Sequence, residues 1–220
     1  MATDDLAVVD LLKSMHLLYV FILVPFIAIS ATSFLKISLV LSLIRNAIGL
    51  QQTPPNTVIY SLSLILTVFI MKPIFIEIYD VAKTKDFMTD NTTYLMEAFD
   101  DSFEPLKNFL YVNSRQEQKQ FFIRTAQDLW PAEYRSSAND RSVIILIPAF
   151  IVDELTEAFK MIFLIYLPFL IIDLITSNVL LSLGMMMVSP MTISLPLKIL
   201  LFVAIDGWSQ VIQSLVVSFN

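Results

Sequence analysis

Leu174–Leu197 reads LITSNVLLSLGMMMVSPMTISLPL, 24 residues without a formal charge. A helix of that length crosses the roughly 30 Å hydrocarbon core of a bilayer. This stretch is not built as one smooth helix. Gly184 opens a left-handed conformation, and Pro190 and Pro196 each remove a backbone N–H donor and crowd the preceding turn. Three consecutive residues such as Met185, Met186 and Met187 cannot all face one way on a helix, and Gly184 and Pro190 would allow a loop between helices there. Broken backbone at membrane depth is tolerated only where other protein or a water-filled path satisfies it.

The same irregularity extends in both directions. Upstream, Val143–Val152 is short and apolar, and Asp153, Glu154, Glu157 and Lys160 follow it as a charged knot. Met161–Ile172 is apolar again, with Pro168 inside, before Asp173 interrupts. Downstream, Lys198 and Asp206 interrupt the last stretch, which runs to Phe219. Glu157 and Lys160 are spaced to pair at i,i+3, whereas Asp153 and Glu157 set like charges at i,i+4. Lys198 and Asp206, two helical turns apart, would share one helix face but be too distant to pair.

The first third is simpler. Ser14–Leu35 carries no charge over 22 residues and reads as a retained spanning helix kinked at Pro25. Its acidic start, with Asp4, Asp5 and Asp10, argues against a cleaved signal peptide. Lys36 interrupts, Ile37–Ile44 continues, and Arg45 closes the run. Residues 46–57 form a turn built on Gly49 and Pro54–Pro55. Val58–Met71 is apolar and reaches spanning length only by including Lys72.

Residues 77–142 differ, with 12 acidic and 8 basic side chains. They read as a small, polar, helical insert, with amphipathic segments over Tyr94–Tyr111 and Gln116–Leu129 and a stop at Trp130–Pro131. The organisation is therefore 1–76, N-terminal hydrophobic helices; 77–142, a polar insert; and 143–220, C-terminal hydrophobic broken helices. The fold class is all-α, of membrane type, with broken helical hairpins. Arg45 marks the 46–57 turn as cytoplasmic, which leaves the insert and both termini periplasmic.

Composition agrees. Of 220 residues, 56% are hydrophobic and 15% charged, and mean hydropathy is +0.73. A soluble domain carries about 25% charged residues, and so much apolar side chain exceeds what one small core hides. The net charge of -6 argues against nucleic-acid binding. There is no cysteine, His16 is the only histidine, and no carboxylate cluster accompanies it, so no metal site is expected. No glycine-rich phosphate loop and no Ser–His–Asp setting occurs. Neither a catalytic residue nor a cofactor is predicted.

Charges at such depth normally pair or face protein. Two classes of protein meet that condition: a small polytopic ion or solute transporter with a polar path, or a subunit whose helices are covered by neighbours. With few helices to cover its charges, the chain favours the subunit. Under that reading Lys36, Arg45, Asp153, Glu154, Glu157, Lys160, Asp173, Lys198 and Asp206 are buried or inter-subunit polar groups. The bland alternatives are a solvated helix end for 153–160 and snorkelling for Lys36 and Arg45. A carrier site at Asp173 would reject even conservative replacement, whereas a pairing role would not.

Several stretches carry a resemblance. TSFLKISLVL (32–41), RNAIGLQQTPPN (45–56), PAFIVDELTEAF (148–159), YLPFLIID (166–173), LGMMM (183–187), SLPLK (194–198) and DGW (206–208) occur in the order found in the R subunit of the type III secretion export apparatus, the SctR family, homologous to the flagellar biosynthesis protein FliP. The resemblance covers both apolar blocks and leaves 77–142 with little signal. The compact insert and the absence of a convincing signal peptide lean toward the injectisome branch.

The resemblance implies a pore-forming structural subunit of an export gate that conducts unfolded proteins across the bacterial inner membrane. It implies a ring of five copies with the S and T subunits, contact with the U and V subunits and with lipid, and a position at the centre of the basal body raised toward the periplasm. Energy would come from an ATPase and the proton-motive force through other subunits. It also implies that Met185, Met186 and Met187 form a pore gasket, with Gly184 and Pro190 setting the loop. From the residues alone, a methionine run is either flexible core packing or a deformable constriction. Phe202 and Phe219 offer further apolar bulk, with no basis in sequence to choose between them.

Overall fold

The computed structural model describes residues 26, 27, 29–50, 52–85, 94, 98 and 100–219. The expectations for Pro25, His16 and most of the Ser14–Leu35 run lie outside these residues. Every regular element among the described residues is helical.

Helix α1, Phe34–Ile48, buries Ile37, Val40, Leu41, Ile44, Ala47 and Ile48, the three-and-four spacing of one helix face. It ends where Gly49 takes φ 95°. The Gly49 N–H donates to the Asn46 carbonyl (3.0 Å) and the Leu50 N–H to the Arg45 carbonyl (3.1 Å). This paired closure satisfies two of the last carbonyls and requires a left-handed residue. Chain reversal follows, and Arg45 Nη1 holds it by donating to the Pro54 carbonyl (3.0 Å) and to Asn56 Oδ1 (2.6 Å).

Helix α2, Asn56–Lys83, runs through Lys72 and Pro73, past the boundary expected at residue 76. It buries one narrow seam, Ile59, Ser63, Thr67 and Met71. The two hydroxyls in that seam donate to their own backbone, Ser63 to the Ile59 carbonyl (2.8 Å) and Thr67 to the Ser63 carbonyl (2.7 Å). A polar side chain satisfied this way is buried at little cost and allows close helix approach. Leu62, Leu66 and Ile70 pack against the core at the edges of that seam, and the opposite face of α2 is uncovered, including Leu64, Ile65, Val68, Phe69 and Tyr79.

The polar insert holds α3, Glu104–Val112, and α4, Gln116–Leu129. The amphipathic segment expected to run from Tyr94 is broken by a turn at Phe103, and Pro105 sits in the first turn of α3. A 3₁₀ turn, Arg135–Ser137, leads back.

Helix α5, Val143–Ser182, is 40 residues long and about 60 Å at 1.5 Å per residue. Sequence reading divides this segment at the charged knot and at Asp173; the structure keeps it as one helix, with Pro148 and Pro168 inside. Its length is about twice the hydrocarbon thickness. Helix α6, Pro190–Ala204, and α7, Gly207–Val217, bend by 61° about a break at Ile205–Asp206. Helices α2 and α5 are each long and apolar enough to cross a membrane, and the bent α6–α7 pair counts as a third if taken together.

The main core joins α1, α2, α5, α6 and α7 through Ile37, Leu41, Ile44, Ile59, Ile162, Phe169, Phe202 and Leu215. Helix α1 packs on both α5 and α2, and α6 packs back on α5. A smaller cluster, Leu110, Leu146, Phe150 and Ala31, seats α3 against α5.

Candidate functional site

Four charge pairs on α5 and one loop dominate the chemistry of the described residues. The deepest pair is Lys36 of α1 with Glu154 of α5, Nζ to Oε1 at 3.1 Å, each side chain 3% exposed. Lys36 Nζ also donates to Ser218 Oγ (3.3 Å) and lies 3.8 Å from the centre of the Phe219 ring. Two charges so far from solvent hold each other because leaving either alone is costly.

Next to Glu154 in the chain lies Asp153, also buried. Its carboxylate accepts the Arg115 backbone N–H (2.6 Å) and Arg115 Nε (2.7 Å). Arg115 is the N-cap residue of α4, which has no side-chain cap of its own. The carboxylate of α5 thus supplies both an acceptor and a negative charge at the start of α4. Glu157 and Lys160 make the expected i,i+3 pair on the exposed side (2.9 Å).

The fourth pair joins the hairpin α5–α6. Lys198 Nζ donates to Asp173 Oδ2 at 2.6 Å, with the lysine 6% and the aspartate 38% exposed. Asp206 is not on the Lys198 helix face expected from its spacing. Helix α6 ends at Ala204, and Asp206 takes a left-handed φ of 51° at the bend. Gly207 follows because a Cβ there would lie 2.3 Å from Phe202 Cε2. That ring packs edge-on to Trp208 (5.3 Å) and tilted against Phe169 (6.3 Å).

Outside the apolar helices, the insert has its own cation cluster. Lys119 is buried over the Tyr111 ring (3.5 Å) and donates to the Tyr111 carbonyl (3.0 Å). Burial pushes its ammonium below the usual lysine range, with Asp140 and Asp153 opposing and Arg141 assisting. For Lys107, burial also acts downward, but hydrogen bonds and charge from Asp100 and Glu104 outweigh it and raise the value.

The methionine loop stands apart from all of this. Helix α5 closes with the Gly184 N–H donating to the Leu181 carbonyl (3.0 Å) and the Met185 N–H to the Leu180 carbonyl (2.9 Å), with Gly184 at φ 71°. Pro190 then occupies the first turn of α6. Between them Met186 is 81% and Met187 99% exposed, and Met185 is 44% exposed. Methionines used as core filler are covered by their own chain; these are not. Phe202 and Phe219 are both used elsewhere, Phe202 in the main core and Phe219 over Lys36.

Sequence reasoning does not single out Arg115, Ser218 or Phe219 as partners. Each lies far along the chain from the charge it meets, so no local spacing marks it.

The FliP family matches residues 17–215. The chain is 45% identical over 198 residues to Yop proteins translocation protein R of Yersinia pestis, covering 90% of this chain and 91% of that one. It is 40% identical over 210 residues to virulence protein YscR of Salmonella typhimurium, covering 95% and 97%. It is 41% identical over 200 residues to hypersensitivity response secretion protein HrcR of Ralstonia nicotianae, covering 90% and 92%. The chain therefore belongs to the FliP family and is a homologue of the type III secretion export apparatus R subunit.

Proposed function

We propose that this chain is a pore-forming structural subunit of a type III secretion export gate in the bacterial inner membrane, conducting unfolded proteins. The observation that carries the reading is the uncovered methionine loop between α5 and α6. Copies arranged in a ring, five by family resemblance, would bring Met185–Met187 together at the axis. Flexible thioethers close around nothing and yield to a passing chain, and an apolar ring resists ions by dewetting. Assembly with the S and T subunits, and contact with U and V, would cover the bare faces of α2 and α5. Lipid would cover the remainder.

The length of α5 and the buried charges along it support a gate raised toward the periplasm. A helix of about 60 Å that crosses a 30 Å apolar layer at an ordinary tilt extends well beyond it. The turn held by Arg45 would face the cytoplasm and the polar insert the periplasm. Lys36, Glu154, Asp173 and Lys198 are occupied by one another, which supports a fixed scaffold over a carrier that must expose a charge in each cycle.

The chain has no cysteine, so Met187→Cys introduces a unique thiol. In the assembled complex, oxidation should link copies of this chain to each other. An export-competent complex in which the introduced thiols never cross-link would contradict an axial position for the loop. Solute transport by the isolated chain in vesicles would favour a transporter instead.

A further inference from the structure

We propose that Phe219 is an aromatic cap that seals the Lys36–Glu154 pair and ties it to the polar insert; this goes beyond any role in the pore. An ammonium has three donors. On Lys36 they meet Glu154 Oε1 (3.1 Å), Ser218 Oγ (3.3 Å) and the face of Phe219, 3.8 Å from the ring centre. One of these comes from α5 and two from the short segment after α7. The Ser218 hydroxyl donates to the Leu215 carbonyl (2.8 Å), which leaves an oxygen lone pair for the lysine. The segment is therefore oriented to receive the charge, not merely packed near it.

The outer side of the cap is equally specific. Phe219 stacks on Phe109 of α3 at 6.3 Å, and Phe109 meets Phe150 of α5 at 5.6 Å. Phe219 is only partly buried, whereas the pair beneath it is 3% exposed. Lifting one partly exposed ring thus admits water to a cation and to Glu154, whose Oε2 has no hydrogen-bond partner. Cation–π attraction strengthens when the cation is desolvated, so the cap and the dry pair support each other. Phe219 links three elements: α1 through Lys36, the insert through Phe109, and the bent α6–α7 pair through its own backbone.

The test is chemical labelling of lysines in the purified full chain in detergent, read by mass spectrometry with an amine-reactive ester. Lys83, at the end of α2, is exposed and serves as the internal reference. Lys36 should label far more slowly than Lys83. Phe219→Ala should raise the Lys36 rate by about tenfold or more, as expected when a protected group is freed by local opening, with Lys83 unchanged. Phe219→Tyr should keep protection, and Phe219→Leu should fall between. Unchanged Lys36 labelling in Phe219→Ala, or full protection in Phe219→Leu, would overturn the cap. If Phe219→Ala unfolds and Lys36 and the buried Lys119 both label fast, Phe109→Cys with Phe219→Cys decides. A short bismaleimide should bridge the two thiols within one chain, and failure to bridge would overturn the proposal.

Discussion

Lys36 and Glu154 face each other at 3.1 Å in the most buried ion pair of the described residues, one on α1 and the other on α5. The pair locates the contact of the two helices that share the most extensive interface among the described residues. Where both alternatives to packing are apolar, lipid tails give no hydrophobic preference for one helix over another. A buried pair does discriminate, because any other register leaves a charge alone.

Removing one member should therefore be far worse than removing both. Lys36→Met or Glu154→Leu alone should destabilise by about 3–5 kcal/mol. The double replacement should recover much of that loss. Thermal unfolding in detergent, together with the yield of assembled complex, measures both; equal damage from the single and double variants would show that the pair has no such role.

Asp173 and Lys198 are a second pair, less buried on the aspartate side. If they only hold α5 to α6, exchanging them preserves the contact. Asp173→Glu should keep most export, and Asp173→Lys should be rescued in part by Lys198→Asp. Export assays on the two singles and the exchange distinguish this from a titrating carrier site, where Asp173→Glu and the exchange would both be inactive.

The bend between α6 and α7 depends on a missing side chain. At Gly207 a Cβ would sit 2.3 Å from the Phe202 ring, which is itself buried between Phe169 and Trp208. Gly207→Ala should cost about 1–3 kcal/mol through overpacking. Adding Phe202→Leu should reduce the penalty below that seen on the wild-type background. A melting-temperature cycle over the four proteins checks this, and strict additivity would mean that the ring is not what the new methyl meets.

Local chemistry is the legible part of this chain. Gly49 and Pro54–Pro55 announce the α1–α2 turn, and Gly184 with Pro190 announces the loop between α5 and α6, because positive φ and a missing N–H act within a few residues. The period of Gln116–Leu129 and the Trp130–Pro131 stop mark α4 in the same way. Helix α5 is illegible as one element. Two prolines and a charged knot argue locally for breaks, and the compensation is tertiary: Arg115 takes Asp153 and Lys36 takes Glu154. The bend at Asp206 escapes sequence reading because a non-glycine left-handed residue leaves no mark in a hydrophobic pattern.

If Met185–Met187 seal a pore, replacing all three with alanine tests it most directly. Ion leakage across the inner membrane is measured alongside complex assembly and export. The expected result is a complex that assembles as the wild type does and leaks ions. An assembled complex with no increase in leakage would contradict the seal and assign it to another constriction.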